Sequence, residues 1–211
     1  MKILYIESKK KITDLRSSPI SIEQLAILPK TLFLAYSIQY KTLAEQIKKQ
    51  LESSKIKVTG FQQVLGCTKL KSDFPILLIG SGRFHALNLA RQTSQEIYIH
   101  NNSIEKITKE EITVFEKQLY GKFSKLLVSN EVGILVSTKP GQNNLDKAEK
   151  LKKLLESKGK QVFLFISNNL NPSEIENFNL DIFVNSACSG LELDNSKIIN
   201  IDDVFEFFNK K

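Results

Sequence analysis

The stretch Pro75-Ile76-Leu77-Leu78-Ile79-Gly80-Ser81-Gly82 is a short apolar run that ends in two glycines around a serine. A run of this length without polar alternation predicts a strand buried on both faces, as in a parallel sheet. Comparable apolar runs occupy Thr31–Ile38, Gly133–Val136 and Val162–Ile166, and stretches with helical spacing of apolar residues separate them. This alternation of strand and helix predicts an α/β protein with parallel sheets in three layers.

The same alternation predicts two similar α/β domains. We expect a middle domain in residues 31–130 and a C-terminal domain in residues 131–211, with residues 1–30 leading into them. Both domains show the order strand, helix, strand and cysteine-bearing loop, which indicates an internal duplication. Ser103 is expected to cap a long helix in the middle domain. The apolar strand Ile3–Ile6 precedes a complete unit, so we expect another element to cover its open edge.

The composition is that of an ordinary globular protein, with 41% hydrophobic and 25% charged residues in a chain of 211. No apolar stretch approaches the roughly 18–20 residues that span a membrane, and charge returns at Glu7 before a signal-peptide core can form. We therefore expect a cytoplasmic protein without a membrane partner. The net charge is +7, but the lysines of Lys147–Lys153 alternate with glutamate along a helical face. That pattern predicts a solvated surface and no direct contact with nucleic acid.

The chain has two cysteines, Cys67 and Cys188, and each follows an apolar run. Ligands of open α/β sheets gather at the carboxyl ends of the strands, so two thiolates there can share a metal or a cluster if the fold brings their loops together. Free cysteine is also among the most buried residue types, so two small buried side chains explain the same positions. Without a secretory signal, a disulfide scaffold is not expected.

Two further loops follow predicted strands and lead into predicted helices. Gly80-Ser81-Gly82, with His85 close behind, allows a ligand to approach the backbone and offers a helix N-terminus that favours negative charge. A tight turn and a structural histidine are the alternative for this loop. Ser137-Thr138-Lys139-Pro140-Gly141-Gln142 offers hydroxyls, a cation and an amide, which suit a carboxylate, an amine or a ribose. A structural turn is again the alternative.

Four stretches together resemble one family. They are Val64-Leu65-Gly66-Cys67, Ile79-Gly80-Ser81-Gly82-Arg83-Phe84-His85, Ser137-Thr138-Lys139-Pro140-Gly141-Gln142 and Val184-Asn185-Ser186-Ala187-Cys188. Stretches like these occur in this order in the diphthamide synthesis enzymes, which are atypical radical S-adenosylmethionine proteins of archaea and eukaryotes. The resemblance covers nearly the whole chain. It implies a fold of three similar α/β domains, each of which gives one cysteine to a 4Fe–4S cluster.

The resemblance also implies an activity. The family's cluster cleaves S-adenosylmethionine, and the 3-amino-3-carboxypropyl group is transferred to a histidine of elongation factor 2 in the first step of diphthamide biosynthesis. Matched to this chain, Cys67 corresponds to the ligand of the middle domain and Cys188 to that of the last domain, and we expect both to face one cleft. Three thiolates leave one iron open for the cosubstrate. The loops with Gly80, Ser81, Gly82 and His85, and with Lys139, Gly141 and Gln142, are expected to bind that cosubstrate.

Two departures from the family pattern qualify this expectation. The first domain and its cysteine are absent, and Ile3–Ile6 resembles the last strand of that domain, left within residues 1–30. The family also has Pro-Arg directly after the last cysteine, where this chain has Ser189-Gly190. We therefore expect a transferase that acts with a separate first-domain chain, as a homo- or heterodimer. The alternatives are a non-catalytic accessory subunit of the same complex and a small-molecule-binding α/β protein without a cluster.

Overall fold

The computed structural model describes residues 20–66, 68–80, 82–175, 177–192 and 195–209. Of these described residues, those up to Thr113 form one compact unit and those from Val114 form a second. The domain boundaries expected at 30/31 and 130/131 stay predictions. The strand predicted at Ile3–Ile6 lies outside the described residues. None of the described helices is both long and apolar enough to cross a membrane.

Unit 1 is a five-stranded sheet in the order β2-β1-β3-β4-β5, in which β1 to β4 are parallel and β5 is antiparallel. Its elements are α1 (Ile22–Ile27), β1 (Thr31–Tyr36), α2 (Lys41–Ser53), β2 (Lys57–Gln63), β3 (Ile76–Ile79), α3 (Arg83–Thr93), β4 (Ile97–Asn101), β5 (Ser103–Lys106) and the start of α4 (Lys109–Val128).

Unit 2 is a four-stranded parallel sheet in the order β7-β6-β8-β9. Besides the rest of α4 it contains β6 (Glu131–Ser137), α5 (Leu145–Glu156), β7 (Gln161–Ser167), α6 (Pro172–Ile175), β8 (Ile182–Asn185), a 3-10 turn (Ser189–Glu192), β9 (Ile198–Asn200) and α7 (Ile201–Asn209). The prediction of an α/β protein with two parallel sheets is confirmed.

Helices cover both faces of the unit 1 sheet because its central strands are apolar on both sides. In β3, Leu77 and Ile79 pack against α2 in one buried cluster, whereas Ile76 and Leu78 pack against α3 in another. All four side chains are at most 2% exposed. Burying an aliphatic side chain of this size contributes roughly 1.5–3 kcal/mol, so the uninterrupted apolar run accounts for the central position of this strand.

In unit 2, α5 packs its apolar stripe on one face of the sheet and ends at Glu156, shortly before Gly159. Ala148, Leu151 and Leu155 are completely buried in the cluster on that face. Gly159 takes φ 82°. Its N–H donates to Glu156 O at 2.9 Å, and the Lys160 N–H donates to Leu155 O at 3.2 Å. These two bonds form a Schellman motif, which needs glycine at the left-handed position.

The expected role of Ser103 as a helix cap is wrong. Ser103 is the first residue of β5 and pairs with Asn101 across a turn at Asn102, whose φ is 71°. The helix begins only at Lys109. Its first turn is closed by reciprocal bonds, from Thr108 N–H to Glu111 Oε2 at 2.9 Å and from Glu111 N–H to Thr108 Oγ1 at 3.2 Å. This capping box satisfies the backbone N–H groups of Thr108 and Glu111 at the start of the helix, which is the role that the sequence predicted for Ser103.

The two units share strand order but not the position of the cysteine loop. β1, β2, β3 and β4 occupy the places in unit 1 that β6, β7, β8 and β9 occupy in unit 2. Cys67 follows the second strand of its unit in the sequence, whereas Cys188 follows β8, the third strand. The predicted order of strand, helix, strand and cysteine loop therefore holds for unit 1 only, because α6 and β8 come before Cys188.

Candidate functional site

In unit 1, the carboxyl ends of β1, β2 and β3 border a cavity of about 270 Å³. Ligand pockets for drug-sized molecules measure about 300–1,000 Å³, so this cavity has room for part of such a molecule. Its lining residues are Ser37, Ile38, Gln39, Val64, Leu65, Leu78, Gly80, Gly82 and His85. Parallel pairing aligns these strand ends, since Tyr36 pairs with Ile79 and the Ser37 N–H donates to Ile79 O at 3.2 Å.

Two glycines keep this cavity open. A Cβ atom on Gly80 would lie 3.0 Å from Ser37 Oγ, and a Cβ atom on Gly82 would lie 2.5 Å from His85 Nδ1. A contact under 3.0 Å forces one group to move, so the backbone at Gly82 approaches the imidazole in a way that only glycine allows without displacement. Ser81, between them, lies outside the described residues.

His85 and Arg83 follow these glycines at the start of α3 but have different electrostatic roles. Partial burial lowers the pKa of His85 below its ordinary value of 6.5, so the imidazole is neutral at about pH 7. Arg83 is bound by two carboxylates, at 2.6 Å from Glu105 and 2.6 Å from Glu111. The hydrogen bonds to those carboxylates raise the pKa of Arg83. The loop therefore offers an uncharged hydrogen-bonding ring, while the neighbouring cation is already neutralised.

The segment around Cys67 is described on both sides of the cysteine. The Leu65 N–H donates to Thr68 Oγ1 at 2.7 Å, and the Thr68 N–H donates to Leu65 O at 3.0 Å. These bonds close a turn between β2 and β3. Cys67 itself lies outside the described residues, so its expected place in a cleft with Cys188 stays a prediction.

In unit 2, the loop after β6 is a hydrogen-bonded turn that carries a cation and an amide. The Lys139 N–H donates to Ser137 Oγ at 3.1 Å, and the Gln142 N–H donates to Lys139 O at 3.0 Å. Gly141, at φ 78°, takes the left-handed position inside the turn. The Lys139 and Gln142 side chains are half-buried, so both are partly open to a ligand.

The loop after β8 carries Cys188, whose thiol is free and exposed. Its beginning is tied to two other elements of the unit. Ser186 Oγ donates to Leu135 O on β6 at 2.8 Å, and Asn144 Nδ2 donates to Ser186 O at 2.7 Å. Because Asn144 ends the loop that contains Lys139 and Gln142, these two loops lie side by side. Sequence reasoning missed Asn144, although an asparagine directly before a helix is a common capping signal.

Within the described ranges, no group of three histidine, cysteine or acidic side chains is arranged to hold a metal ion. The donor chemistry of Cys188 nevertheless suits an iron–sulfur cluster, because clusters are held by thiolates and this thiol is accessible. Cys188 is therefore chemically suited to be one ligand of such a cluster.

Comparison with known proteins identifies the family. Residues 1–198 match the family model described as putative diphthamide synthesis protein. The chain belongs to this family. The resemblance seen in the four sequence stretches is thereby confirmed.

Curated relatives carry one activity name. The 2-(3-amino-3-carboxypropyl)histidine synthase of Methanocaldococcus jannaschii is 29% identical over 214 residues, which cover 97% of this chain and 58% of the relative. The synthase of the same name from Pyrococcus horikoshii is 31% identical over 136 residues, which cover 63% of this chain and 40% of the relative. Subunit 1 of the Candida albicans synthase is 27% identical over 152 residues.

Solved structures agree with this assignment. Dph2 from Pyrococcus horikoshii, in a crystal structure with a 4Fe–4S cluster, superposes with a TM-score of 0.76 at 25% identity, over 90% of this chain and 60% of Dph2. A second crystal structure of the same protein gives a TM-score of 0.77. This chain thus spans about three fifths of the length of the Methanocaldococcus relative and of Dph2.

Proposed function

We propose that this chain is part of a 2-(3-amino-3-carboxypropyl)histidine synthase. The enzyme would transfer the 3-amino-3-carboxypropyl group from S-adenosylmethionine to a histidine of elongation factor 2, the first step of diphthamide biosynthesis. The observation that carries this proposal is the family match over residues 1–198. It is supported by the free, exposed thiol of Cys188 next to the loop with Lys139 and Gln142.

Cys67 and Cys188 are proposed as two of three thiolate ligands of a 4Fe–4S cluster. Residues 1–211 contain two cysteines, and the third ligand is proposed to come from a polypeptide that carries the family's first domain. When bound, the cluster supplies the electron that starts cleavage of S-adenosylmethionine. The chain's own part is to hold the two sulfurs in place and to orient the cosubstrate.

Cosubstrate binding is proposed for both loops that precede helices. Gly80, Ser81 and Gly82 would allow the ligand to approach the backbone, and neutral His85 would accept or donate one hydrogen bond. In unit 2, the Lys139 ammonium suits the carboxylate of the cosubstrate, and Gln142 and the turn at Gly141 suit its polar groups. A charge-assisted hydrogen bond is worth about 1.5–3 kcal/mol, which corresponds to roughly 10- to 100-fold in affinity.

Cluster loading and transfer test the function directly. The chain is reconstituted anaerobically with iron and sulfide, alone and with a polypeptide carrying the family's first domain. We expect persistent cluster absorption only in the mixture. With dithionite added as the reductant of the cluster, we expect transfer of the 3-amino-3-carboxypropyl group, labelled at its carboxyl carbon, from S-adenosylmethionine to elongation factor 2. C188S and C67S should each abolish transfer. Full transfer by both serine variants would contradict the ligand assignment, and a persistent cluster in the chain alone would contradict the need for a third thiolate.

Cosubstrate binding is tested separately in the assembled complex by calorimetry. Q142A and K139M should each weaken S-adenosylmethionine binding by about tenfold or more, and G82V should do the same because its side chain meets His85. K150M, on the exposed part of α5, is the matched control and should leave affinity unchanged. Equal affinity for wild type and all three site variants, with intact folding, would refute the assignment.

A second candidate role is a non-catalytic accessory subunit of the same complex. It is favoured by Ser189-Gly190, which replaces the family's Pro-Arg after the last cysteine. An accessory subunit would raise the activity of a complete synthase partner even when Cys188 is changed to serine. Elongation factor 2 as substrate, a first-domain chain as partner, a homo- or heterodimeric assembly and a cytoplasmic location are part of the first proposal above.

A further inference from the structure

A chain of buried amides runs from the end of β9 to the Cys188 loop. Asn185 and Asn200 are register partners on β8 and β9. Asn185 Nδ2 donates to Asn200 Oδ1 at 2.8 Å and to Cys188 O at 2.7 Å. Asn185 Oδ1 accepts from the Ala187 N–H at 2.9 Å. Both hydrogens and the oxygen of this amide are therefore used, and two of the three bonds go to the cysteine loop.

A buried ion pair sets the direction of these hydrogen bonds. Asn200 Nδ2 donates to Glu192 Oε2, and Glu192 Oε1 accepts from Lys122 Nζ at 3.0 Å. The side chains of Lys122 and Glu192 are 15% and 5% exposed. With Lys122 donating to Glu192, the carboxyl oxygens serve as acceptors, so Asn200 turns its amide hydrogens to Glu192 and to Ser189 O, at 3.4 Å, and its oxygen to Asn185. Asn185 must then present its own hydrogens to Asn200 and to Cys188 O.

The ion pair is needed because Glu192 is buried. Burial raises the pKa of Glu192, the charge of Lys122 opposes this shift, and the charge of Asp203 adds to it. Without the lysine, the carboxyl group would bind a proton more readily and could donate a hydrogen bond. Asn200 Nδ2 would then keep only its longer bond to Ser189 O, at 3.4 Å, and the bond from Asn185 to the cysteine loop would lose part of its support.

Unit 1 has a different pair at the corresponding place. There the last residue of β3, Ile79, is the register partner of His100 on β4. The side chain of isoleucine has no hydrogen-bonding group, so Ile79 cannot bind the following loop as Asn185 does. The amide chain therefore accompanies the loop that carries the cysteine after the third strand.

We propose that Asn185 is a positioning residue for Cys188, and that Lys122 and Glu192 fix its orientation through Asn200. This inference deepens the proposed function and rests on Cys188 as a cluster ligand. Functional groups are held to within about 0.5 Å by the residues behind them, and here the held atom is the carbonyl oxygen of the ligand residue itself. Ser186 and Asn144 anchor the beginning of the loop independently, so loss of the amide chain should affect the region of Cys188 locally.

Loop order is measured on the cluster-free chain, which separates this inference from cluster loading. A nitroxide label is attached to Cys188 in a C67S background, and its electron paramagnetic resonance line shape reports nanosecond mobility. N185D keeps the size of the side chain and its acceptor for Ala187 but loses both donors. We expect the mobile component of the spectrum to rise about fivefold relative to the immobile one, the population change that corresponds to one lost hydrogen bond. An unchanged line shape in folded N185D would overturn the proposal.

The remote ion pair is tested with a variant designed to fold. K122M alone leaves a buried carboxylate unpaired, which can unfold the chain; K122M/E192M replaces both charges by apolar groups of similar length. We expect a mobile label in K122M/E192M, and a wild-type line shape in K122R because the ion pair is kept. K48M breaks the exposed pair Lys48–Glu52 and is the matched control, with no change expected. An immobile label in folded K122M/E192M, or equal mobility in K122R and K122M/E192M, would refute the role of the ion pair.

If the label responds as expected but the assembled complex loads no cluster, the positioning role stands and the proposed function fails. If a cluster loads and the label does not respond, the proposed function stands and the positioning role fails.

Discussion

Replacing His100 by leucine should stabilise unit 1 and reduce its sensitivity to acid. His100 lies on β4 and is 1% exposed. Neither of its ring nitrogens has a hydrogen-bond partner in the described part of the chain. A buried polar group without a partner costs about 1–3 kcal/mol. H100L removes two such groups and keeps an apolar side chain in the same place, so we expect a gain of about 1–3 kcal/mol in the free energy of unfolding at neutral pH.

The pH dependence follows from the direction of the shift. Burial lowers the pKa of His100 below its ordinary value of 6.5, so the unfolded chain binds the proton more readily than the folded chain. The stability associated with this residue is complete above 6.5 and is lost as the pH falls from there towards the folded pKa. The loss is at most about 1.4 kcal/mol per pH unit for one histidine. His85, the other histidine of the chain, shifts in the same direction because of burial.

Urea unfolding at about pH 7.5 and about pH 5.5 measures both effects. The carboxyl groups contribute equally to the pH dependence of the free energy of unfolding in wild type and H100L, so their contribution cancels in the difference. H85Q, measured in parallel, gives the contribution of the second histidine to the same pH dependence. We expect H100L to be more stable than wild type at both pH values, with the larger advantage at the lower one. An H100L protein that is less stable at the higher pH, or that loses stability with acid as steeply as wild type, would refute the assignment of unsatisfied nitrogens.

Three glycine substitutions have different expected outcomes, measured by urea or thermal unfolding. G133A should destabilise unit 2 by about 1–3 kcal/mol, because its Cβ atom would lie 2.4 Å from Phe183 Cδ1 in the core; a neutral effect would show that this packing adjusts freely. G121A should stabilise α4 by about 0.5–1 kcal/mol, since apart from the neighbouring residues and backbone of α4 nothing lies within 4 Å of the added methyl group. G159A should destabilise by about 1–2 kcal/mol, because residue 159 has φ 82°, and a stabilising effect would contradict the cap geometry.

The sequence is sufficient to predict the strands and helices whose apolar pattern is set by burial. β3 and residues 132–136 of β6 are uninterrupted runs without polar side chains, and the structure buries them in the interior of the two sheets. β5 is different because it is a short edge strand, with Glu105 and Lys106 exposed, and its pairing depends on the turn at Asn102. Serine is a favoured N-cap residue, so Ser103 taken alone indicated a helix start, although it lies in a strand. Thr108 and Glu111, at the spacing of a capping box, were the better signal.

The candidate site is less accessible to sequence reasoning. Both loops rich in glycine or polar residues could be recognised, because glycine, proline and hydroxyl side chains after an apolar run mark a turn at a strand end. The residues that hold the Cys188 loop could not. Lys122 and Glu192 meet only through the tertiary fold, and Asn185 and Asn200 become neighbours only through the register of β8 and β9. An asparagine at the end of a strand is ordinary in sequence and becomes informative when its partners are known.

The position of the cysteine loops shows how two units with one strand order can carry different sites. The two units share one strand order, so the loops after β3 and β8 occupy corresponding places. In unit 1 that place holds the glycines Gly80 and Gly82, where a side chain would crowd its neighbours. In unit 2 it holds Cys188, with a buried amide chain behind it. A shared strand order thus determines where functional loops can lie, and the residues at the strand ends determine their chemistry. Ile79, at the end of β3, makes no side-chain hydrogen bond to the loop that follows it. Asn185, at the end of β8, makes two such bonds from the core.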